Sequence, residues 1–308
     1  MANTTPCIAI HGGAGTIEKS TLTSELHDMY THALNQCIHA GYHILQQGGS
    51  AMDAVSAAVT ALENEPLFNA GKGAVFTHSG GHEMDASIMD GSNLMAGAVT
   101  CVRNIKNPII LARTVMEKSG FVLLSSDGAE EFAKLNNIAF EPNEYFDTDT
   151  RYQQLLKIRD SEFMQLDHNV NLKKGTVGAV ALDQHGNLAA ATSTGGMTNK
   201  RYNRIGDTPI IGSGTYANNN TCAISCTGHG EYFIRSVVAY DVSCLMEYKG
   251  LSLHDACELV VKDKLVKLGG EGGLIAIDHF GNIELPFNSE GMYRASQMVG
   301  GERFVGIH

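Results

Sequence analysis

The chain has no tryptophan, only six prolines, and fewer basic than acidic residues: 22 against 33, a net charge of −11. A surface of that sign repels phosphate backbones and anionic headgroups, which argues against nucleic acid and membrane partners. No apolar run approaches the roughly 20 residues of a membrane span. The opening MANTTPCIAIHGG has neither a basic stretch nor a long apolar one, so it does not read as a signal peptide. Several catalytic and metal signatures are missing too. No serine has a glycine two residues to each side, so HGGAG at 11–15 lacks the elbow an esterase needs. GSGTYA at 212–217 has the letters of a dinucleotide fingerprint, but NNNTCAIS after it reads as turn and strand rather than helix. Cys222 and Cys226 are four apart, with no second pair nearby to complete a zinc site. His39 and His43, like His78 and His82, have helical spacing but neither a third ligand nor an HExxH pattern. No carboxylate pair stands out for glycosidase work, and no organic cofactor is implied.

What is present is a globular composition: 308 residues, 43% hydrophobic, with 34 glycines. It fits one domain over 1–308. The seven cysteines are odd in number and scattered, several in apolar runs, where a free thiol is a small hydrophobe. Reduced cysteines point to a cytoplasmic compartment.

CIAIHGGAG reads as a strand, followed by two helices over TLTSELHDMYTHALNQCIHAGYHILQQGG and SAMDAVSAAVTALENEP. AVFTHSGGHEMDASIMDG reads as a hairpin, LMAGAVTCV as a strand, NPIILARTVMEKSG and DGAEEFAKLNN as helices. From 138 to 175 the pattern dissolves into a charged, flexible linker with one helical stretch around RYQQLLKIRD. TVGAVALDQHGNLAAATSTGG then forms two strands around a turn. Neither alternates with polar residues, so the sheet is expected to be covered on both faces. GEYFIRSVVAYDVSCLMEYKG and SLHDACELVVKDKLVKLGG read as helices, and GGLIAIDHFGNIELPFN as a second hairpin with the same D-x-x-G-N turn. Sequential hairpins with covering helices predict an α+β fold, a four-layer αββα sandwich.

The junction KKG–TVGAV is abrupt. A threonine there suits the start of a strand for ordinary steric reasons. It also suits a nucleophile. Were the chain cut before Thr176, the new α-amino group, with a reference pKa of roughly 7.7–8.0, could serve as base for the hydroxyl beside it. Gly175 leaves room for that hydroxyl to attack the preceding carbonyl.

The company of this threonine is familiar. IAIHGGAG (8–15), PLFNAGKGAVFT (66–77), EMDASIMDG (83–91), GTVGAVALDQHGNLAAATSTGGMTNK (175–200), RIGDTPIIGSGTYA (204–217), SCTGHGE (225–231) and GGLIAIDHFGNIELPFNSEGMYRA (272–295) together resemble the isoaspartyl peptidase/L-asparaginase family. These are the plant-type asparaginases among the N-terminal nucleophile hydrolases, and the bacterial type is the nearer match. The resemblance implies autocleavage between Gly175 and Thr176, giving an α subunit of 1–175 and a β subunit of 176–308. It implies hydrolysis of β-aspartyl dipeptides and L-asparagine through a β-aspartyl–threonine ester. It further implies a dimer of αβ heterodimers.

Residue by residue, Thr194 matches the threonine that orients Thr176. Thr227 and the Gly228 N–H match the oxyanion hole, and Gly230 brings backbone close to the substrate. Arg204 matches the group that grips the α-carboxylate, and Asp207 the group that receives the α-ammonium. Asn69 matches a polar residue that orders the nucleophile region. LENEPLFNAGK matches a loop that binds a structural sodium ion through the carbonyls of Leu62, Glu63, Glu65, Phe68, Ala70 and Lys72. Two rival readings remain: a glycosylasparaginase or taspase-like hydrolase of the same fold, and an uncleaved, non-catalytic binder of aspartyl ligands.

Overall fold

The computed structural model describes residues 4–15, 17, 22–159 and 175–308. Two sheets organise them. The larger runs, in spatial order, β12 (Arg303–Gly306), β11 (Gly291–Met298), β1 (Cys7–Gly15), β5 (Val177–Leu182), β6 (Leu188–Thr194), β2 (Met84–Asp90), β3 (Ala96–Val102) and β4 (Leu123–Ser125). The smaller runs β10 (Ile283–Glu284), β9 (Gly272–Asp278), β8 (Cys222–Gly228) and β7 (Thr215–Ala217). Neighbours pair antiparallel except β3 with β4, which is parallel.

The two D-x-x-G-N turns fold alike. Asp183 Oδ1 accepts the N–H groups of His185 and Asn187, at 2.9 and 3.0 Å. Asp278 Oδ1 accepts those of Phe280 and Asn282, both at 2.9 Å. Each carboxylate satisfies the turn's own backbone and so fixes where the flanking strands meet.

Helices α1 (Ser24–Gln46) and α2 (Ala51–Asn64) start where Thr23 and Ser50 accept the N–H groups of Leu26 and Asp53. With α3 (Pro108–Lys118) they bury Leu34, Ile38, Val55, Val59 and Leu111 against Ile8, Ile10, Ala179, Ala191 and Ile88 of the larger sheet. Residues of the opposite parity, Cys7, Ala9, Val180 and Ala190, pack on Ala223, Ile275 and Ile277 of the smaller sheet. The other face of that sheet, Ile224, Cys226 and Leu274, is covered by α7 (Val238–Lys249) and α8 (Leu253–Glu258). Every residue of β5 and β6 is therefore buried, which is why those strands carry no alternation.

Three readings change in detail. Residues 74–91 hold one strand rather than a hairpin: β2 pairs with β3 and β6, while Thr77 makes an isolated bridge to Lys200. The helix expected over 230–249 is broken at Val237, whose φ of 51° ends α6 (Gly230–Ser236) before α7 begins. Beyond α4 (Ser126–Leu135), between 138 and 159, α5 (Asp149–Ile158) and buried Phe146, Arg151 and Leu155 hold the stretch to the body. Residues 160–174 of the expected linker lie outside the described residues. All seven cysteines are unpaired. Among the described residues no helix is long and apolar enough to cross a membrane.

Candidate active site

Because β5 and β6 pair antiparallel with Val177 opposite Ser193, β5 begins where β6 ends. Thr176 therefore lies beside Thr194. The Thr176 hydroxyl donates to Thr194 Oγ1 at 3.3 Å. The Thr194 hydroxyl donates to the Gly175 carbonyl oxygen, also at 3.3 Å, and accepts the Gly196 N–H at 3.0 Å. Both threonines are buried. A proton thus has a marked path from the Thr176 hydroxyl to the oxygen of the very bond that precedes Thr176.

Asn69 buttresses this corner. Its Oδ1 accepts the Val75 N–H at 3.0 Å, its Nδ2 donates to the Gly196 carbonyl at 2.8 Å, and its own carbonyl accepts the Gly195 N–H at 3.0 Å. Its Cβ would lie 3.3 Å from a methyl group added at Gly175. The side chain is thus engaged with backbone, joining the loop after α2 to the Thr194 corner.

That loop is folded through its carbonyls. Those of Leu62, Glu65 and Ala70 accept the N–H groups of Glu65, Phe68 and Gly73 at 3.1–3.3 Å. Each carbonyl retains a second lone pair. A methyl group on Gly71 would meet the Glu63 carbonyl at 2.3 Å, so the loop closes tightly upon itself. Arg151, from α5, donates to the carbonyls of Gly73 and Leu67 at 2.9 and 3.3 Å. The sequence reading missed this arginine, which looks like one charge among many in a ragged stretch.

Thr227 is the penultimate residue of β8. Its fully buried Oγ1 accepts the Ala14 N–H at 3.1 Å, which ties it to the glycine-rich end of β1 and leaves its own hydroxyl proton to donate. Gly228, the last residue of β8, follows it.

Between the sheets runs a chain of polar side chains that the sequence reading also missed. His11 Nε2 lies 2.8 Å from Ser225 Oγ, and Ser225 Oγ lies 2.8 Å from Thr192 Oγ1. Thr192 bonds Thr215, and the Ser87 hydroxyl lies 2.8 Å from Thr215 Oγ1 and 2.6 Å from the Thr208 carbonyl. Complete burial pushes the His11 imidazole down to about 3, against an opposing contact with the Thr176 backbone. His11 is therefore a neutral hydrogen-bonding post. Its signal in the sequence was weak: hydroxyl residues are small enough to sit at inward strand positions without breaking the apolar pattern. Gly178 makes room for the chain, since a methyl group there would fall 1.9 Å from Ser225 Oγ and 2.6 Å from His11 Nε2. Gly178→Ala should destabilise the protein by about 2–4 kcal/mol, through overpacking and a broken buried network. Chemical denaturation of variant and parent checks this. Equal midpoints would show that the chain has room to relax.

Arg204, Asp207 and Gly230 come together as a second group. Arg204 Nε and Nη2 donate to the two carboxylate oxygens of Glu231, each at 2.9 Å, a planar two-point pair absent from the sequence reading. A methyl group at Gly230 would sit 2.8 Å from Arg204 Nη2 and 3.0 Å from Asp207 Oδ1, so glycine is needed for that approach. Asp207 is 3% exposed, and its Oδ2 has no hydrogen-bond partner among the described residues. Burial pushes its carboxyl up to about 7; its own backbone N–H and Arg204 oppose the rise, while the charges of Glu231 and Asp85 add to it. A half-satisfied buried carboxylate beside a guanidinium is a place for a cation that belongs to a zwitterion.

Residues 4–307 match the family model described as Asparaginase, and the chain belongs to that family. It is 54% identical over 306 residues to the isoaspartyl peptidase of Salmonella typhimurium, covering 98% of each chain. It is 53% identical to the isoaspartyl peptidase of Escherichia coli, over 98% of this chain and 95% of that one. A putative isoaspartyl peptidase/L-asparaginase of Dictyostelium discoideum is 49% identical, over 95% of this chain and 93% of its own.

Proposed function

We propose that this chain is an isoaspartyl peptidase and L-asparaginase that matures by cutting itself between Gly175 and Thr176. The observation that carries the reading is the path from the Thr176 hydroxyl through Thr194 to the Gly175 carbonyl oxygen. In maturation the Thr176 oxygen attacks the Gly175 carbonyl carbon, and its proton passes toward Thr194. The peptide C–N bond breaks as the acyl group moves from nitrogen to oxygen, the departing nitrogen takes up the hydroxyl's proton to become the free amine, and water then cleaves the ester. The products are chains 1–175 and 176–308. The freed amine of Thr176 becomes the base that the uncut hydroxyl lacked.

Substrate hydrolysis reuses the oxygen. Thr176 attacks the side-chain carbonyl of an aspartyl group, Thr227 and the Gly228 N–H take the developing oxyanion, and ammonia or an amino acid leaves. Water then releases aspartate. Arg204 gives up part of its grip on Glu231 to hold the α-carboxylate, and Asp207 receives the α-ammonium. Gly230 keeps the backbone close enough for both. Both substrates share this aspartyl head, so one pocket serves them.

The same reading takes the two sheets and their helical covers as the four-layer αββα sandwich of N-terminal nucleophile hydrolases. It places a sodium ion among the carbonyls of Leu62, Glu63, Glu65, Phe68, Ala70 and Lys72, in keeping with the tight carbonyl fold of that loop. It expects a cytoplasmic dimer of αβ heterodimers. The unpaired cysteines favour it over a secreted glycosylasparaginase. The intact Thr176–Thr194 pair favours it over a non-catalytic binder. Intact-mass measurement of the incubated protein tests it. Two fragments meeting at Gly175/Thr176, with ammonia released from asparagine and leucine from β-Asp-Leu, are expected. A chain that stays whole yet hydrolyses both would sink the mechanism.

A further inference from the structure

The register of β2 against β6 puts Asp85 opposite Thr194 and Ser87 opposite Thr192. Directly paired residues on antiparallel strands present their side chains to one face. Ser87 identifies that face, because its hydroxyl reaches the carbonyl of Thr208, the neighbour of Asp207. Asp85 lies one repeat along the same face, toward Thr194.

Asp85 is fully buried and divides its work between its oxygens. Oδ1 accepts from the Thr100 hydroxyl at 2.6 Å and from the Cys101 N–H at 2.9 Å. Those bonds hold the irregular stretch of β3 where Cys101 takes a φ of 53°. Supporting it requires one acceptor oxygen. Oδ2 remains, buried and without a hydrogen-bond partner among the described residues, as does Oδ2 of Asp207. Cations nearby are engaged elsewhere: Arg204 with Glu231, and Lys200 with the Glu83 carbonyl at 2.7 Å. Two buried carboxylates with idle oxygens are costly unless a cation visits them.

We propose that Asp85 is the second carboxylate of the ammonium pocket: with Asp207 it makes an anionic floor that admits an α-ammonium and discriminates against ligands without one. The inference rests on the aspartyl pocket proposed above, and neither the family match nor the sequence reading assigned Asp85 a role.

Asp85→Asn tests it, because the amide oxygen can still accept from Thr100 and Cys101 while the charge is gone. Calorimetric binding of L-aspartate and of succinate, which lacks the amine, reads the pocket without turnover. Wild-type protein should bind L-aspartate more tightly than succinate, and Asp85→Asn should narrow that gap by about tenfold. In turnover of β-Asp-Leu, KM should rise by a similar factor with kcat within about threefold. The rise of KM toward acid pH should also move to lower pH, since a like charge facing Asp207 has been removed. The other groups facing Asp207, namely Arg204, Glu231 and the uncharged Cys226 thiol, are unchanged. Thr100→Val supplies the control: it loosens the same stretch of β3 without altering charge and should leave the ligand gap intact. An unchanged gap in Asp85→Asn, or an equal loss in Thr100→Val, overturns the assignment. Absence of turnover in the wild type would instead strike the function reading, leaving the ligand gap to judge Asp85.

Discussion

Thr176→Ala should leave a single chain of 308 residues and 33.0 kDa, with no fragments after long incubation. Hydrolysis of β-Asp-Leu and asparagine should fall by on the order of 10⁴-fold or more, the scale seen when a nucleophile is removed. Two losses coincide. The methyl group of alanine cannot attack the Gly175 carbonyl, so no amine is released; and without the hydroxyl no ester can form with substrate. Thr176→Ser separates them, since it keeps oxygen and amine but loses the methyl group that packs the buried corner. It should still cleave, more slowly. Thr194→Val keeps the shape beside Thr176 while removing the hydroxyl that joins Thr176 to the Gly175 carbonyl oxygen. Its cleavage should slow by about 10²-fold, the range for losing a positioned proton-transfer partner. Time courses by denaturing gel and intact mass read all three. Normal cleavage of Thr194→Val would show that the proton leaves by another route.

Much of this site was legible because its chemistry is local. Gly175–Thr176 declares itself by an abrupt change from charged linker to apolar strand. The turns at 183–187 and 278–282 declare themselves by Asp and Gly at set positions, and in the fold those carboxylates bond their own turns. The covered sheet was legible because β5 and β6 lack alternation. What escaped notice depends on partners distant in sequence. His11, Thr192, Thr215 and Ser225 form one hydrogen-bonded chain across two sheets, yet each alone is an ordinary strand residue. Glu231 looks like part of a helix start until Arg204 is found on it. Arg151 looks like a solvated charge until the fold places it on the carbonyls of Leu67 and Gly73. The break at Val237 also escaped notice, because apolar periodicity continues through it while the backbone does not.

Asp207→Asn should separate substrate recognition from maturation. Asp207 makes no hydrogen bond to Thr176, Thr194 or Gly175, so the variant should still yield two chains. It should lose about 10²- to 10³-fold in kcat/KM, mostly through KM, the range for truncating one partner of a buried charge pair. The pH dependence gives the sharper test. The substrate ammonium needs an ionised carboxylate, and the Asp207 carboxyl stands at about 7 in the free enzyme. Wild-type KM should therefore fall as pH rises through about 7, and that limb should vanish in Asp207→Asn. The Thr176 amine adds its own limb to kcat, with a reference pKa of roughly 7.7–8.0, and this one should survive. Stability should move the opposite way. In the unfolded chain the carboxyl loses its proton near 3.8, while the folded protein keeps it up to about 7. Between those values the folded state holds the extra proton, so wild-type stability declines as pH rises across that window. Asparagine has no proton to lose there, and its denaturation midpoint should decline less over the same window. The wild-type residue would then sacrifice stability near neutral pH for a charge the substrate requires. Parallel pH profiles of denaturation in the two proteins would show that Asp207 is already ionised through the window, and the KM limb would have to be assigned to another group.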